Sequence, residues 1–443
     1  MEFYSTNNKN LSADLKEVVL KGLASDGGLF MPKTIPHMPE SFFENLHNLT
    51  FTEIAFEVSK KLLGDDVPED VLKTIIDDAF DFPVPLVEIK LGVSVLELYH
   101  GPTMSFKDFG ARFMSRLMSY FLKGSEKELT ILVATSGDTG SAVASGFLNV
   151  PGINVIILYP SGKVSPLQEK QLTTMGGNIK AVEVNGVFDD CQKMVKAAFV
   201  DEEIIKKFSL ASANSISIAR LLPQTFYYFY AYAKIVKSLD KTRDSSGELK
   251  KPVVISVPSG NYGNITAGLI AKRMGLPIKK FIASTNANNV VPEFLEKGIF
   301  KARDSVQTIS NAMDVGNPSN FARMLELYGH SAQKMSEDII GFSFSDDETK
   351  HAIKEVYEKY NYLMDPHGAV AYLGLEKYMK DNDREANGIF LETAHPAKFG
   401  EVVEEVLGKK IDIPDQLKKY LDREKESTVI SSSFSDFKEF LLK

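Results

Sequence analysis

The sequence predicts an α/β protein with two open, mainly parallel sheet domains and an additional, mainly helical domain at the N-terminal end. Three observations carry this. Apolar, β-branched runs recur, each followed by a turn and then helical periodicity: "SVLELYH", "LTILVATSG", "NVIILYPSG", "IKAVEVNG", "PVVISVPSG", "KKFIASTN" and "NGIFLETAHP". Strands buried on both faces read as continuous apolar runs, which is the signature of parallel sheets covered by helices. The first 90 or so residues instead carry helical patterns, "LSADLKEVVLKGL" and "TEIAFEVSKKLLG", with loop signals at "DGGLFMPKTIP" and a proline-containing break at "FDFPVPLV". Finally, 443 residues, 44% hydrophobic and 25% charged, suffice for two or three domains with their own cores.

Charge and cysteine content exclude several classes. Fifty-nine acidic against 51 basic residues give a net charge of −8, with no Lys/Arg stripe, so the field repels nucleic acid. Cys191 is the single cysteine, which rules out an intramolecular disulfide and a cysteine-rich metal site. The seven histidines show no metal-ligand spacing, so no metal is expected and His100, His367 and His395 read as structural. The start lacks the basic and apolar regions of a signal peptide, and no run of 18 apolar residues occurs. A cytoplasmic protein with no membrane partner is expected. Without a sustained heptad, a monomer is preferred.

Taken in order, the chemistry begins at "ELYHGPTMSFKDFGARF". Gly101 and Pro102 stop a strand and Lys107 falls at a helix start, between Phe106 and Phe109. The positive end of the helix dipole and desolvation by the rings both disfavour an ammonium, pushing the amine toward nucleophile or base. The alternative is a snorkelling surface lysine. "ATSGDTGSAVASGF" follows a strand and opens a helix, clustering Ser136, Asp138, Thr139 and Ser141 around Gly137 and Gly140. It suits a carboxylate, or is an ordinary cap with Asp138 or Thr139 as N-cap.

"LYPSGKVSPLQEKQ" puts Ser161, Lys163 and Ser165 past a strand end, and "SANSISIARLLPQ" puts Asn214, Ser215 and Arg220 past another. Ligands of open α/β sheets sit there. Between Ala233 and Pro252 the chain turns polar, a surface loop near a boundary. "SGNYGNITAG" follows a buried-type strand and leads into a helix, so Gly260 and Gly263 let amides turn inward toward a phosphate, or make a plain tight turn. It matches neither common nucleotide-binding glycine pattern. "DPHGAVAYLGLEKY" reads as an Asp365 N-cap with Pro366 in the first turn, Thr393 ends the last strand, and "ESTVISSSFSDFKEFLLK" reads as a Ser-rich linker and an amphipathic closing helix.

A lysine at one strand-helix turn and an anion loop at another is what a pyridoxal-phosphate enzyme needs. In order, "HGPTMSFKDFGARFM", "ATSGDTGSAVA", "LYPSGKVSPLQEKQ", "VPSGNYGN", "NAMDVGNPSNF" and "TAHPAKF" resemble threonine synthase of the long form shared by bacteria and fungi. The resemblance covers nearly the whole chain, including "LASDGGLFMP". It implies the tryptophan synthase β type of fold (fold type II), divided into an N-terminal domain 1–90, a smaller α/β domain 91–222 and a larger one 223–443. It implies pyridoxal 5'-phosphate, with Lys107 as the Schiff-base lysine, Ser259, Gly260, Asn261, Tyr262, Gly263 and Asn264 as the cofactor-phosphate loop, and Thr393 facing the pyridine nitrogen.

By the same resemblance Ser136, Gly137, Asp138 and Thr139 receive the substrate carboxylate. Motif position and the need for cations together suggest Ser161, Lys163, Asn214 and Arg220 for the substrate phosphate. Asp138 departs from the wider fold group, where asparagine is common, and must therefore face a hydrogen-bond donor. The implied reaction takes O-phospho-L-homoserine and water to L-threonine and phosphate. Two alternatives remain: a phospho-lyase giving 2-oxobutyrate from phosphohomoserine or phosphothreonine, and a non-catalytic α/β protein binding a phosphorylated ligand.

Overall fold

A computed structural model describes residues 1–125, 128–238 and 251–443. Two compact units divide the chain, each from non-contiguous segments: Met1–Glu2, Met31–His100 and Leu221–Asp412 form one, and Phe3–Phe30, Gly101–Arg220 and Ile413–Lys443 the other.

The first unit holds a six-stranded sheet. Its central strand Val253–Pro258 lies parallel between Ile278–Thr285 and Asn387–Glu392, with Ile255 opposite Phe281 on one side and Ile389 on the other. Ile339–Ser343 extends the sheet beyond Ile278–Thr285, and Val93–Glu97 pairs parallel with Asn387–Glu392. Leu86–Lys90 closes the far edge antiparallel. Every residue of the central strand is buried, as its largely apolar sequence predicts, with Ser256 the one polar side chain. Helix Pro366–Asp381 packs across the three middle strands, and Val254, Ile282, Tyr372, Leu375 and Phe390 share one core. Of the N-terminal helices, Glu40–Asn45, Phe51–Leu63 and Glu69–Ala79 belong to this unit, whereas Leu15–Lys21 falls in the other, so residues 1–90 do not stand as one unit. Phe51–Leu63 starts in a capping box of Thr50 and Glu53 and packs its apolar stripe against helix Thr225–Ser238.

The second unit holds five parallel strands in the order Thr428–Ser431, Ile179–Asn185, Ile153–Pro160, Leu129–Ala134, Ser209–Ser212. Helices Lys107–Leu122 and Asp138–Phe147 pack together, and Phe188–Ala198 and Phe434–Leu442 bury Cys191, Met194, Phe437 and Leu441 in one cluster with the strands.

All seven runs expected to be strands contain one. Other expectations need correction. The Ser-rich "linker" contains the strand Thr428–Ser431, because its backbone pairs parallel with Val182–Asn185. That pairing groups the tail with 101–220, whereas a division by sequence position groups it with 223–443. Likewise Val93–Glu97 pairs within the sheet of the 223–412 segment. The helical run "LSADLKEVV" begins with a short strand, Ser12–Asp14, before helix Leu15–Lys21, and "DGGLFMPKTIP" holds the strand Phe30–Pro32. The polar stretch after Ala233 stays helical to Ser238; its residues 239–250 lie outside the described residues.

Among the described residues no helix is long and apolar enough to cross a membrane, and no group of three or more His, Cys, Asp or Glu side chains gathers to hold a metal. Ile282 is fully buried in the six-stranded sheet's core. Ile282→Ala should cost about 2–5 kcal/mol of stability, read as a lower urea midpoint at unchanged slope.

Candidate active site

Lys107 is the first residue of helix Lys107–Leu122, as the sequence predicts. The turn before it is built tightly. Met104 adopts a left-handed φ of 55°, a conformation that costs a non-glycine residue energy. The buried Asp108 carboxylate holds that turn by accepting from the Thr103 backbone N–H at 2.9 Å and its hydroxyl at 2.7 Å. The Lys107 side chain is half-buried, with Nζ 5.7 Å from the centroid of the Phe106 ring. One flanking phenylalanine thus lies beside the amine, and the other, Phe109, is fully buried in the helix packing.

In the same unit, "ATSGDTG" bends from strand Leu129–Ala134 into helix Asp138–Phe147. Thr135 Oγ1 closes the bend by accepting from Gly137 N at 2.9 Å and Gly140 N at 2.8 Å. Gly137, not Asp138 or Thr139, is the N-cap, and its φ of 137° suits only glycine. A Cβ there would also stand 2.7 Å from the Gln168 amide. Asp138 is buried, and the donor its position demanded is that amide: Gln168 Nε2 donates to Asp138 Oδ1 at 2.7 Å. Ser136 and Thr139 are half-buried at the same helix start, where amides and dipole favour an anion.

The third group is only partly assembled as expected. Asn214 follows strand Ser209–Ser212 and its amide brackets the backbone of Ala134 on the adjacent strand, Oδ1 accepting at 3.4 Å and Nδ2 donating at 2.8 Å. Ser161 donates its hydroxyl to Glu183 at 2.6 Å, and the same carboxylate meets Tyr159, Lys425 and Ser427. Arg220 is buried and spends Nη1 on the Ala213 carbonyl at 2.5 Å, with burial lowering its pKa to about 10 despite nearby Asp108. Lys163 is the exposed cation of the four. Asn214, Ser161 and Ser136 do share the carboxyl edge of one sheet.

In the first unit, Ser259–Asn264 links the central strand to helix Gly263–Arg273. Tyr262 is the N-cap residue and takes the left-handed conformation, φ 59°. Three contacts fix the turn. Ser259 donates to the Val257 carbonyl at 2.8 Å, Asn261 Oδ1 accepts from Ser319 N at 2.6 Å, and a Cβ on Gly260 would lie 2.6 Å from Met313 Cα. The "NAMDVGNPSNF" stretch therefore lies directly on the loop, a placement the sequence alone did not disclose. Asn286 and Asn288 and the Thr308 hydroxyl donate to Asp314 in that stretch, while burial raises its carboxyl to about 6.

Asn264 shows which way its amide faces. Tyr227 and Tyr228 both donate to Oδ1 at 2.6 Å, so Nδ2 points elsewhere, buried and without a partner. The Tyr262 hydroxyl is likewise buried without a partner. Two orphaned donors beside the N-terminus of an eleven-residue helix are what a bound phosphate would satisfy. The loop thus fits the phosphate of pyridoxal phosphate.

Thr393 is buried one residue past strand Asn387–Glu392. Ser256 pairs with Phe390, so Thr393 and Ser259 stand three residues beyond one pair at the same sheet edge. Titratable groups occur near it in the chain or elsewhere in the same unit, among them His395 and His100, which the sequence reading left as structural. Burial pushes His395 down to about 4, and burial with the charge of Asp365 pushes Glu392 well up. Burial works to raise Glu97, but hydrogen bonds from His100 and Tyr362 outweigh it and leave it lowered. Burial thus disfavours the charged form of both His395 and Glu392.

Residues 83–390 match the family model "Pyridoxal-phosphate dependent enzyme", 2–80 match "Threonine synthase N terminus" and 368–441 match "Threonine synthase, C-terminal". The chain is 43% identical over 443 residues to threonine synthase of Haemophilus influenzae, covering 100% of both chains. A crystal structure of threonine synthase from Escherichia coli is similar with a TM-score of 0.92 at 40% identity, covering 100% of this chain and 99% of that one. A pyridoxal-phosphate-bound threonine synthase structure from Brucella melitensis is similar at 0.89 and 33%, covering 100% and 98%.

The raised carboxyl of Asp314 makes a pH prediction. Its folded pKa of about 6 exceeds the ordinary 3.8, so this group's contribution to stability is full below the lower value and is lost as pH rises through the upper one. The thermal midpoint of wild type minus that of Asp314→Asn should therefore fall as pH rises from about 4 to about 7.

Proposed function

Because the chain belongs to the threonine synthase family of pyridoxal-phosphate-dependent enzymes, we infer that it converts O-phospho-L-homoserine and water to L-threonine and phosphate. The observation that carries this is a match to threonine synthases over the full chain, N-terminal and C-terminal segments included.

Bound pyridoxal phosphate supplies an aldehyde that captures amines and a ring that draws electrons from the carbon beside the captured nitrogen. Ser259, Gly260, Asn261, Tyr262, Gly263 and Asn264 would hold its phosphate through backbone amides and the Asn264 Nδ2. Thr393 would face the ring nitrogen with a hydroxyl rather than a carboxylate, which would leave that nitrogen without a fixed proton and restrain competing transamination. Lys107 Nζ would hold the aldehyde at rest; as a free amine it takes the proton from the substrate α carbon and moves protons at the β and γ carbons.

Ser136, Gly137, Asp138 and Thr139 would take the substrate carboxylate at the start of helix Asp138–Phe147. Gln168 keeps the Asp138 carboxylate turned toward its own amide, which limits repulsion between Asp138 and that substrate anion. For the substrate phosphate, Lys163 supplies exposed positive charge, while Ser161, Asn214 and Arg220 are occupied by Glu183, Ala134 and Ala213 and shape the edge around it. The remaining expectations, a monomer in the cytoplasm, belong to the same reading; gel filtration of the purified chain should give the mass of one chain, and elution at twice that mass would contradict the monomer.

Incubating the purified chain with pyridoxal phosphate and O-phospho-L-homoserine should release phosphate and threonine in equal amounts, and Lys107→Ala should release neither. Phosphate accompanied by 2-oxobutyrate would move the function to a phospho-lyase. Gln168→Glu sets a second carboxylate against Asp138, so KM for phosphohomoserine should rise on the order of tenfold with a smaller change in kcat.

A further inference from the structure

The "DPHGAVA" segment does more than start a helix. Asp365 is the N-cap of Pro366–Asp381, with Oδ1 accepting from the His367 backbone N–H at 2.6 Å. That cap would form whatever side chain stood at 367. The imidazole nonetheless is buried, 4.9 Å from the Phe399 ring, with both nitrogens engaged. Nδ1 lies 2.5 Å from Asp365 Oδ1, and Nε2 stands 3.2 Å from the Ala312 backbone nitrogen. A backbone N–H can only donate, so Nε2 accepts and the ring proton sits on Nδ1, donated to Asp365.

Both ends of this pair reach segments assigned to the cofactor. Ala312 and Met313 press on the loop that would hold the phosphate: a Cβ at Gly260 would lie 2.8 Å from the Ala312 carbonyl and 2.6 Å from Met313 Cα. At the other end, Asp365 Oδ2 accepts from the backbone N–H of Ala394, the neighbour of Thr393, at 3.3 Å. A continuous line of contacts thus runs from Thr393–Ala394 through Asp365 and His367 to Ala312 and Gly260.

We propose that Asp365 and His367 are positioning residues that brace the cofactor-phosphate loop against the segment carrying Thr393, with the His367 Nε2 to Ala312 contact holding the phosphate end. This rests on the assignment of residues 259–264 to the phosphate. His367 touches neither cofactor nor substrate in this account; it acts through Ala312.

The test compares two substitutions that split the ring's two contacts. Asparagine reaches Asp365 from position 367 but falls short of Ala312, while glutamine places a carbonyl where Nε2 stood. The dissociation constants of pyridoxal and pyridoxal phosphate are titrated by absorbance for each full-length chain. The aldehyde is common to both ligands, so their ratio isolates recognition of the phosphate. His367→Asn should lower that ratio about tenfold, the loss of one buried hydrogen bond's worth of positioning, and His367→Gln should stay within about threefold of wild type. A general structural role would lower the thermal midpoint of both variants and leave the ratio alone. Equal ratios in wild type, His367→Asn and His367→Gln, with wild type preferring the phosphorylated ligand, overturn the brace. A wild-type ratio near one would instead overturn the phosphate-loop assignment.

Discussion

The turn from Pro258 to Gly263 is held to one shape, and the rest of the first unit is arranged around that shape. Its strand is buried at every residue, it leads directly into a helix start, and Gly260 has the backbone of Met313 where a side chain would stand. A phosphate site made of amides works only if those amides are fixed beforehand, since a loop that must order on binding loses affinity to the entropy of ordering. Two tyrosine hydroxyls on the Asn264 carbonyl and the Ser319 amide on Asn261 supply that fixation. The cost is visible in the left-handed Tyr262.

The second unit meets a similar demand at Gly137 by a different route. There the helix start is sealed from beneath by Thr135 and from beside by the Gln168 amide, which donates to the buried acid Asp138. The Gln168 amide holds that carboxylate oxygen in place.

Much of this was legible in the sequence. Continuous apolar runs located the central strands because burial on both faces leaves no polar alternation, and glycine, serine and threonine after those runs marked the turns that lead into the helices. Lys107 at the first position of its helix follows from Gly101 and Pro102 ending one element and an apolar 3.6-residue period beginning the next. What stayed hidden depends on pairing across long sequence distance. Thr428–Ser431 looks like a linker because its four residues are largely exposed and become a strand only through partners at 182–185. Arg220 and Ser161 have the right chemistry for a phosphate, yet Ala213 and Glu183 occupy them, and no local pattern announces that. The contact of "NAMDVGNPSNF" with Gly260 spans some fifty residues, so spacing could not reveal it.

The central claim is that one amine, at the start of helix Lys107–Leu122, carries the cofactor's aldehyde. Reducing the cofactor-loaded protein with borohydride, digesting it and locating the added phosphopyridoxyl mass by peptide sequencing tests it directly. The account predicts a single modified residue, Lys107. Stoichiometric label on any other lysine with Lys107 unmodified would contradict it.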